Sequence, residues 1–358
     1  MQKLFRRFGL SVLALIAAWA ATGYYFHITD AQSWPERQAV SPTGVFDRES
    51  TCYFGGGYAE WQAMLRQRNG SWNPWGWILA LAAPRQQYQR AETQVDCRFV
   101  SYRSDGYRIS GYLIAPKVDS QRRLPVLIFN RGGNGRFGVI DFWLALKRLV
   151  PFAEDGFLVL ASQYRGINES NPAVFGKDEF GGADVRDVER LIELIDQLPQ
   201  ADPNNIFMLG GSRGVMMNYL VARNTDRIRA LASVNGAADL ATELQFRPEM
   251  ERVYIARIPN YASNGQQALA QRSVLHWADE LPRDMPILLI HGDQDERVDP
   301  QNGARLKARL DQLGHPNKLI VYPGEGHDLS GSWSQAHQEI VSWFRAHTQP
   351  TSVGSRAP

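Results

Sequence analysis

The sequence predicts an α/β fold: a mostly parallel central sheet with helices on both faces and a small helical cap. Three observations predict it. Short apolar runs of strand length recur through the second two-thirds of the chain, stretches of helical periodicity separate them, and one proline-broken interval, residues 237–284, interrupts the alternation. Strand and helix alternating in this way build a sheet covered on both sides. With 358 residues, 44% of them hydrophobic, the chain is long enough to bury one large core. Its 39 basic and 37 acidic residues give a formal charge of +2 without a basic stripe, so nucleic acid is excluded as an expected partner.

Taken in order, the first element is an export segment. Lys3, Arg6 and Arg7 precede an uncharged run from Leu10 to Phe26. Two readings stand: a membrane anchor ending in Tyr24, Tyr25 and Phe26, or a signal peptide cleaved after the small-residue site Ala18-Trp19-Ala20. Both leave the basic residues cytoplasmic and carry the rest of the chain across, making it membrane-anchored or soluble outside the cytoplasm. Residues 28–95 follow as an aromatic-rich extension, in which Trp61, Trp72, Trp75 and Trp77 require something to pack on. The extension is too short to make a strong core alone and is expected to wrap the following domain. Cys52 and Cys97 suit a disulfide in an exported protein, or two buried thiols. Neither sits in a Cys-x-x-Cys spacing, so no metal is expected.

The catalytic-looking domain is expected over residues 96–349. "CRFVSYRSDGYRISGYLIAP" reads as a hairpin about Asp105-Gly106. The strands "PVLIFN", "FLVLAS", "NIFMLG", "ALASVN", "MPILLIHG" and "KLIVYPG" come next, with helices expected at 139–152, 184–198, 212–222, 300–313 and 332–347. Asp184 and Asp187 fall in a first turn and Gly314 follows a helix end, both favourable placements. Residues 350–358 read as a flexible tail.

Ser212 lies where the strand "NIFMLG" meets the helix "RGVMMNYLVA", between Gly210 and Gly214. Such a serine either caps the helix or is a nucleophile on a strand-turn-helix elbow. The nucleophile reading requires an acid and a histidine on later strand ends, because a serine hydroxyl needs a base to take its proton. "LLIHGDQDERVDP" offers Asp293, Asp295 and Asp299, and "VYPGEGHDLSG" offers His327, the histidine on a loop directly after a late strand. His276, His291, His315, His337 and His347 fall in the cap, a strand end, a turn and the last helix, where structural roles suffice. Donors for an oxyanion are expected from the N–H of Arg213 and from Gly132 and Gly133 in "FNRGGNG". That loop lacks the Gly-Lys-Ser/Thr ending of a phosphate-binding loop, and no cofactor is expected.

From about Asp96 to His347 the chain resembles the catalytic domain of the prolyl oligopeptidase family of α/β-hydrolases. The matching stretches are "SDGYRISGYLIAP", "SQYRG", "GKDEFGGADVRDV", "GGSRG", "QRSVLHWADEL", "LLIHGDQDERVDP" and "GEGH". The resemblance implies an α/β-hydrolase fold and a triad of Ser212, Asp295 and His327; in that family the acid stands three residues beyond the glycine of the His-Gly pair, which selects Asp295 over Asp293. It also implies departures. Family peptidases usually carry a β-propeller ahead of this domain, where fewer than 100 residues stand here. Arg213 follows the nucleophile where many members have a smaller or aromatic residue, and Tyr164 and Arg165 in "SQYRG" are candidates to contact substrate or to pack. The expectation is an exported serine hydrolase acting on a small peptide or ester. A small-acyl carboxylesterase and a catalytically idle envelope-binding protein are the alternatives.

Overall fold

The computed structural model describes residues 39–40, 44–67, 74–119 and 122–350. The expected export segment, Trp72 and nearly all of the expected tail lie outside the described residues, and no helix among those described is long and apolar enough to cross a membrane.

Among the described residues ten strands form one sheet: β1 (Ala39–Val40), β2 (Arg48–Thr51), β3 (Val95–Ser104), β4 (Tyr107–Pro116), β5 (Leu124–Asn130), β6 (Leu158–Ser162), β7 (Ala201–Gly211), β8 (Ile228–Val234), β9 (Ile287–Gly292) and β10 (Asn317–Tyr322). Their order is β1-β2-β3-β4-β6-β5-β7-β8-β9-β10. β1 to β4 are antiparallel, β4 joins β6 antiparallel, and every pair from β6 to β10 is parallel. The β3–β4 turn sits at Asp105-Gly106, both with positive φ (49° and 83°), as a tight hairpin twisted with its strands requires.

The helices are α1 (Gly57–Gln67), α2 (Pro74–Ala82), α3 (Arg85–Gln94), α4 (142–154), α5 (Pro172–Phe175), α6 (Val185–Ile195), α7 (Arg213–Ala222), α8 (Leu240–Phe246), α9 (Met250–Arg257), α10 (Tyr261–Arg272), α11 (Gln301–Gln312) and α12 (Trp333–Ala346). α4 starts three residues later than its apolar periodicity predicts because Asp141 caps it, accepting from Leu144 N at 2.8 Å. Its middle, Ala145–Leu149, is a π turn.

Alternation along the parallel strands divides the core in two, since successive side chains point to opposite faces. Ile206 and Met208 of β7 face a layer of α6, α7, α11 and the cap helices α8 to α10, whereas Phe207 and Leu209 face α4, α12 and the N-terminal helices. The described helices of the N-terminal extension pack on the second of these layers. Trp61 stacks on Tyr88 and meets Phe142 of α4 edge-on, with centroids at 5.5 and 5.1 Å. Trp77 departs from the expectation of burial: it is 49% exposed, with the Arg66 guanidinium 4.9 Å from its ring centre. A disulfide joins Cys52 to Cys97, with Cα atoms 5.3 Å apart, and ties the extension to β3.

Candidate active site

The registers bring the carboxyl ends of the central strands level: Asn130 pairs with Gly210, Gly211 with Val234, Val234 with Ile290, and Gly292 with Tyr322. The loops beyond these ends form one cluster, in the place where open parallel sheets hold their sites.

Ser212 occupies the turn between β7 and α7 at φ 54°, ψ −124°, a left-handed conformation uncommon for a residue with a side chain. It makes no side-chain capping bond to α7, so the helix-cap role is absent. Close packing fixes the flanking glycines. A Cβ on Gly214 would lie 1.9 Å from the Asn130 carbonyl, and one on Gly210 would lie 2.4 Å from that of Gly214. The serine N–H donates to Val234 O at 2.9 Å, which holds the turn against β8.

Asp295 and His327 meet on the loops after β9 and β10. The Asp295 carboxylate is buried and receives the N–H groups of Arg297 and Val298 at 2.8 and 3.1 Å. His327 Nδ1 stands 2.8 and 3.0 Å from its two oxygens. The other acids of the same stretch serve elsewhere. Asp293 accepts from Gly324 N at 2.7 Å, and Asp299 pairs with Arg305 and accepts from Gln301 N. His291, buried 3.7 Å from Asp295 on its other side, has its pKa lowered by burial, against the pull of that carboxylate.

The loop after β5 faces Ser212: a Cβ built on Gly132 would lie 3.1 Å from Ser212 Cβ and 3.7 Å from its Oγ. Neither the Gly132 nor the Arg213 N–H meets a protein acceptor among the described residues. Gly133 has φ 71°, and a Cβ there would sit 2.1 Å from Phe137 O, so the bend demands glycine. Two buried arginines brace this loop. Arg131 donates to the carbonyls of Gly132, Gly135 and Phe137 at 2.9 to 3.0 Å and to Gln163 O at 2.9 Å. Arg213 reaches Gly133 O at 2.9 Å while pairing with Asp178 and Asp184. Burial pulls the Arg131 guanidinium down to about 10, with the Arg213 charge adding to it. Burial raises the Asp178 carboxyl, but Arg213, the Gly135 N–H and Arg131 override it and hold the group near 2.

The side chain of Arg213 is thus a structural cation. Tyr164 and Arg165, expected either to contact substrate or to pack, are both buried, and their bonds favour packing over contact. Arg165 pairs with Asp187 and Asp105 through Nε and Nη2, and the Tyr164 hydroxyl is bonded to Asn130 and Arg131 O. Asp187 therefore serves Arg165, and Asp184 receives Arg213 and the N–H groups of Gly181 and Gly182. Sequence reading missed Arg131, Asp178 and Asn235, each next to a glycine stretch or a strand end that it had singled out. Among the described residues no group of three His, Cys, Asp or Glu side chains is arranged to hold a metal ion.

Comparison with known proteins adds kinship to this geometry. A family model described as the prolyl oligopeptidase family matches residues 143–351. The chain is 28% identical over 224 residues to the uncharacterized peptidase YtmA of Bacillus subtilis, covering 62% of this chain and 82% of that one. It is 25% identical over 254 residues to dipeptidyl-peptidase 5 of Porphyromonas gingivalis, covering 66% of this chain but only 35% of that protein. Among solved structures, the acylaminoacyl peptidase of Pyrococcus horikoshii superposes with a TM-score of 0.61 at 21% identity, over 73% of this chain and 43% of that one. At that identity the likeness shows a shared fold. Apart from YtmA, these relatives are more than twice as long as the portion matched.

Proposed function

The chain belongs to the prolyl oligopeptidase family of serine hydrolases, and from that membership we propose that it cleaves short peptides or small esters through an acyl-enzyme formed on Ser212. In this reading Ser212 Oγ attacks the carbonyl carbon as His327 Nε2 takes its proton. The tetrahedral oxyanion receives the N–H groups of Arg213 and of Gly132 or Gly133. His327 then returns the proton to the leaving amine or alcohol, and a water activated by the same imidazole releases the acyl group. Asp295 holds the ring in the tautomer that keeps Nε2 free to accept.

The Asp295–His327 pair carries the reading: the buried carboxylate engages Nδ1 through both oxygens, at 2.8 and 3.0 Å, and no protein group among those described bonds Nε2. The relatives named as dipeptidyl and acylaminoacyl peptidases support a peptide substrate. The test is labelling with a fluorophosphonate and mapping of the labelled peptide, followed by a panel of short esters, dipeptide amides and a folded protein. Label on Ser212, with turnover of the small substrates, is expected. Label elsewhere, or rapid cleavage of the folded protein with small esters untouched, would overturn the reading.

Export belongs to the same proposal. The basic-then-apolar N-terminus supports it, as does the Cys52–Cys97 bridge, which persists where thiols are not kept reduced. Thiol titration of unfolded, unreduced protein from the exported fraction should find no free thiol; two free thiols there would contradict the bridge and remove its support for this address.

A further inference from the structure

The loop that presents His327 is rich in glycine, and its main-chain anchors hold neighbouring residues: Glu325 O accepts from Gln294 N, and Gly324 N donates to Asp293. Among the described residues the His327 carbonyl itself is held by one side chain, that of Asn235. This residue follows β8 directly and is 1% exposed. Its Nδ2 donates to His327 O at 2.6 Å and lies 3.4 Å from Gly326 O, while its Oδ1 accepts from Gly292 N at 2.9 Å. Its own N–H donates to Ile290 O at 2.9 Å, and the residue before it, Val234, accepts from Ser212 N at 2.9 Å. Asn235 thus stands at the one point where the nucleophile turn, the acid loop and the base loop meet.

Its residue type answers each demand of the place. The backbone is left-handed at φ 50°, which asparagine tolerates better than other residues with a side chain. An amide offers a donor and an acceptor on one short stem, and both are used here. Aspartate has the same shape but would set an acceptor against the His327 carbonyl. Glycine would keep the backbone conformation and lose both bonds.

We propose that Asn235 is a positioning residue that fixes the His327 main chain relative to Ser212, so that the imidazole delivers its proton to the leaving group in the correct geometry. The inference rests on the hydrolase reading above and adds a residue to it. Asp295 fixes the Nδ1 edge of the ring; Asn235 fixes the end of the residue from which the ring projects. Losing that anchor harms the step that needs accurate proton delivery more than the step that does not.

The test compares two esters of one acyl group, a p-nitrophenyl ester whose leaving group departs without a proton and an alkyl ester whose leaving group needs one. The ratio of the two rates is independent of how much enzyme is folded, so a merely structural effect leaves it unchanged. Asn235→Gly should lower kcat on the alkyl ester about 100-fold, the cost of an ångström-scale misplacement, and on the p-nitrophenyl ester only about tenfold. The alkyl-to-p-nitrophenyl ratio therefore falls about tenfold. Asn235→Asp should lower the ratio at least as far, although it keeps the acceptor for Gly292 N. Wild-type protein that takes no fluorophosphonate at Ser212 would bring down the hydrolase reading and this inference together. Labelled wild type with an unchanged ratio in Asn235→Gly, or a wild-type ratio in Asn235→Asp, would overturn this inference alone.

Discussion

Around Ser212 the supporting side chains are charged and sealed from water, whereas around His327 the supports are an amide, backbone groups and a single carboxylate. On the side proposed to hold the oxyanion, Arg131 and Arg213 grip the carbonyls of Gly132, Gly133, Gly135 and Phe137 and are balanced by Asp178 and Asp184. On the base side, Asn235 holds the His327 main chain, and among the described residues only Asp295 bonds its ring. The two jobs differ. Oxyanion donors act by staying where they are while charge develops, and a buried charge network holds a loop rigidly. A base must change protonation state during turnover, so fixed charge close to it is useful only where it favours that change.

The comparison breaks most visibly if the charge cluster is cut. Arg213→Met leaves Asp178 and Asp184 buried without their main partner, and should lower the unfolding free energy by about 3–5 kcal/mol in urea titration. Adding Asp178→Asn to the same chain should recover part of that loss. A loss below about 1 kcal/mol would mean that the cluster is not what holds the oxyanion loop.

A smaller effect is expected beneath the base side. Glu243 of α8 is buried against the acid loop, bonded by Asn302 Nδ2 and 3.3 Å from Asp299 N, and burial raises its carboxyl to about 7, with Asn302 and Arg305 only partly opposing. The folded protein then holds a proton that the unfolded chain releases near pH 4.5, so this group's contribution to stability falls as pH rises from about 4.5 to about 7. Glu243→Gln should remove that slope, its stability relative to wild type rising by an amount on the order of 2–3 kcal/mol across the window. A difference that does not change with pH would contradict the assignment.

What the sequence made legible follows the range of the interactions involved. The elbow at Ser212 is written locally, in two glycines between a strand and a helix, and both prove to be demanded by contacts below 2.5 Å. The hairpin and the parallel strands are equally local. Arg165 was open in the sequence because its partners, Asp187 and Asp105, stand 22 and 60 residues away and meet it only after the sheet has formed. Asn235 closes a strand in an unremarkable "SVNG"; only the register beside β9 reveals what its amide bonds. The choice of Asp295 over Asp293 came from family resemblance, since both stand in one short turn and local pattern does not separate them.

That choice is also where the account is most exposed. Both aspartates should be changed to asparagine and kcat/KM measured on one short ester, with folding checked by thermal unfolding. Asp295→Asn should lose about 10⁴-fold, because the ring is then held in the wrong tautomer. Asp293→Asn keeps an oxygen for the Gly324 N–H and should stay within about threefold of wild type. The reverse order of effects in folded proteins would contradict the Ser212–His327–Asp295 assignment.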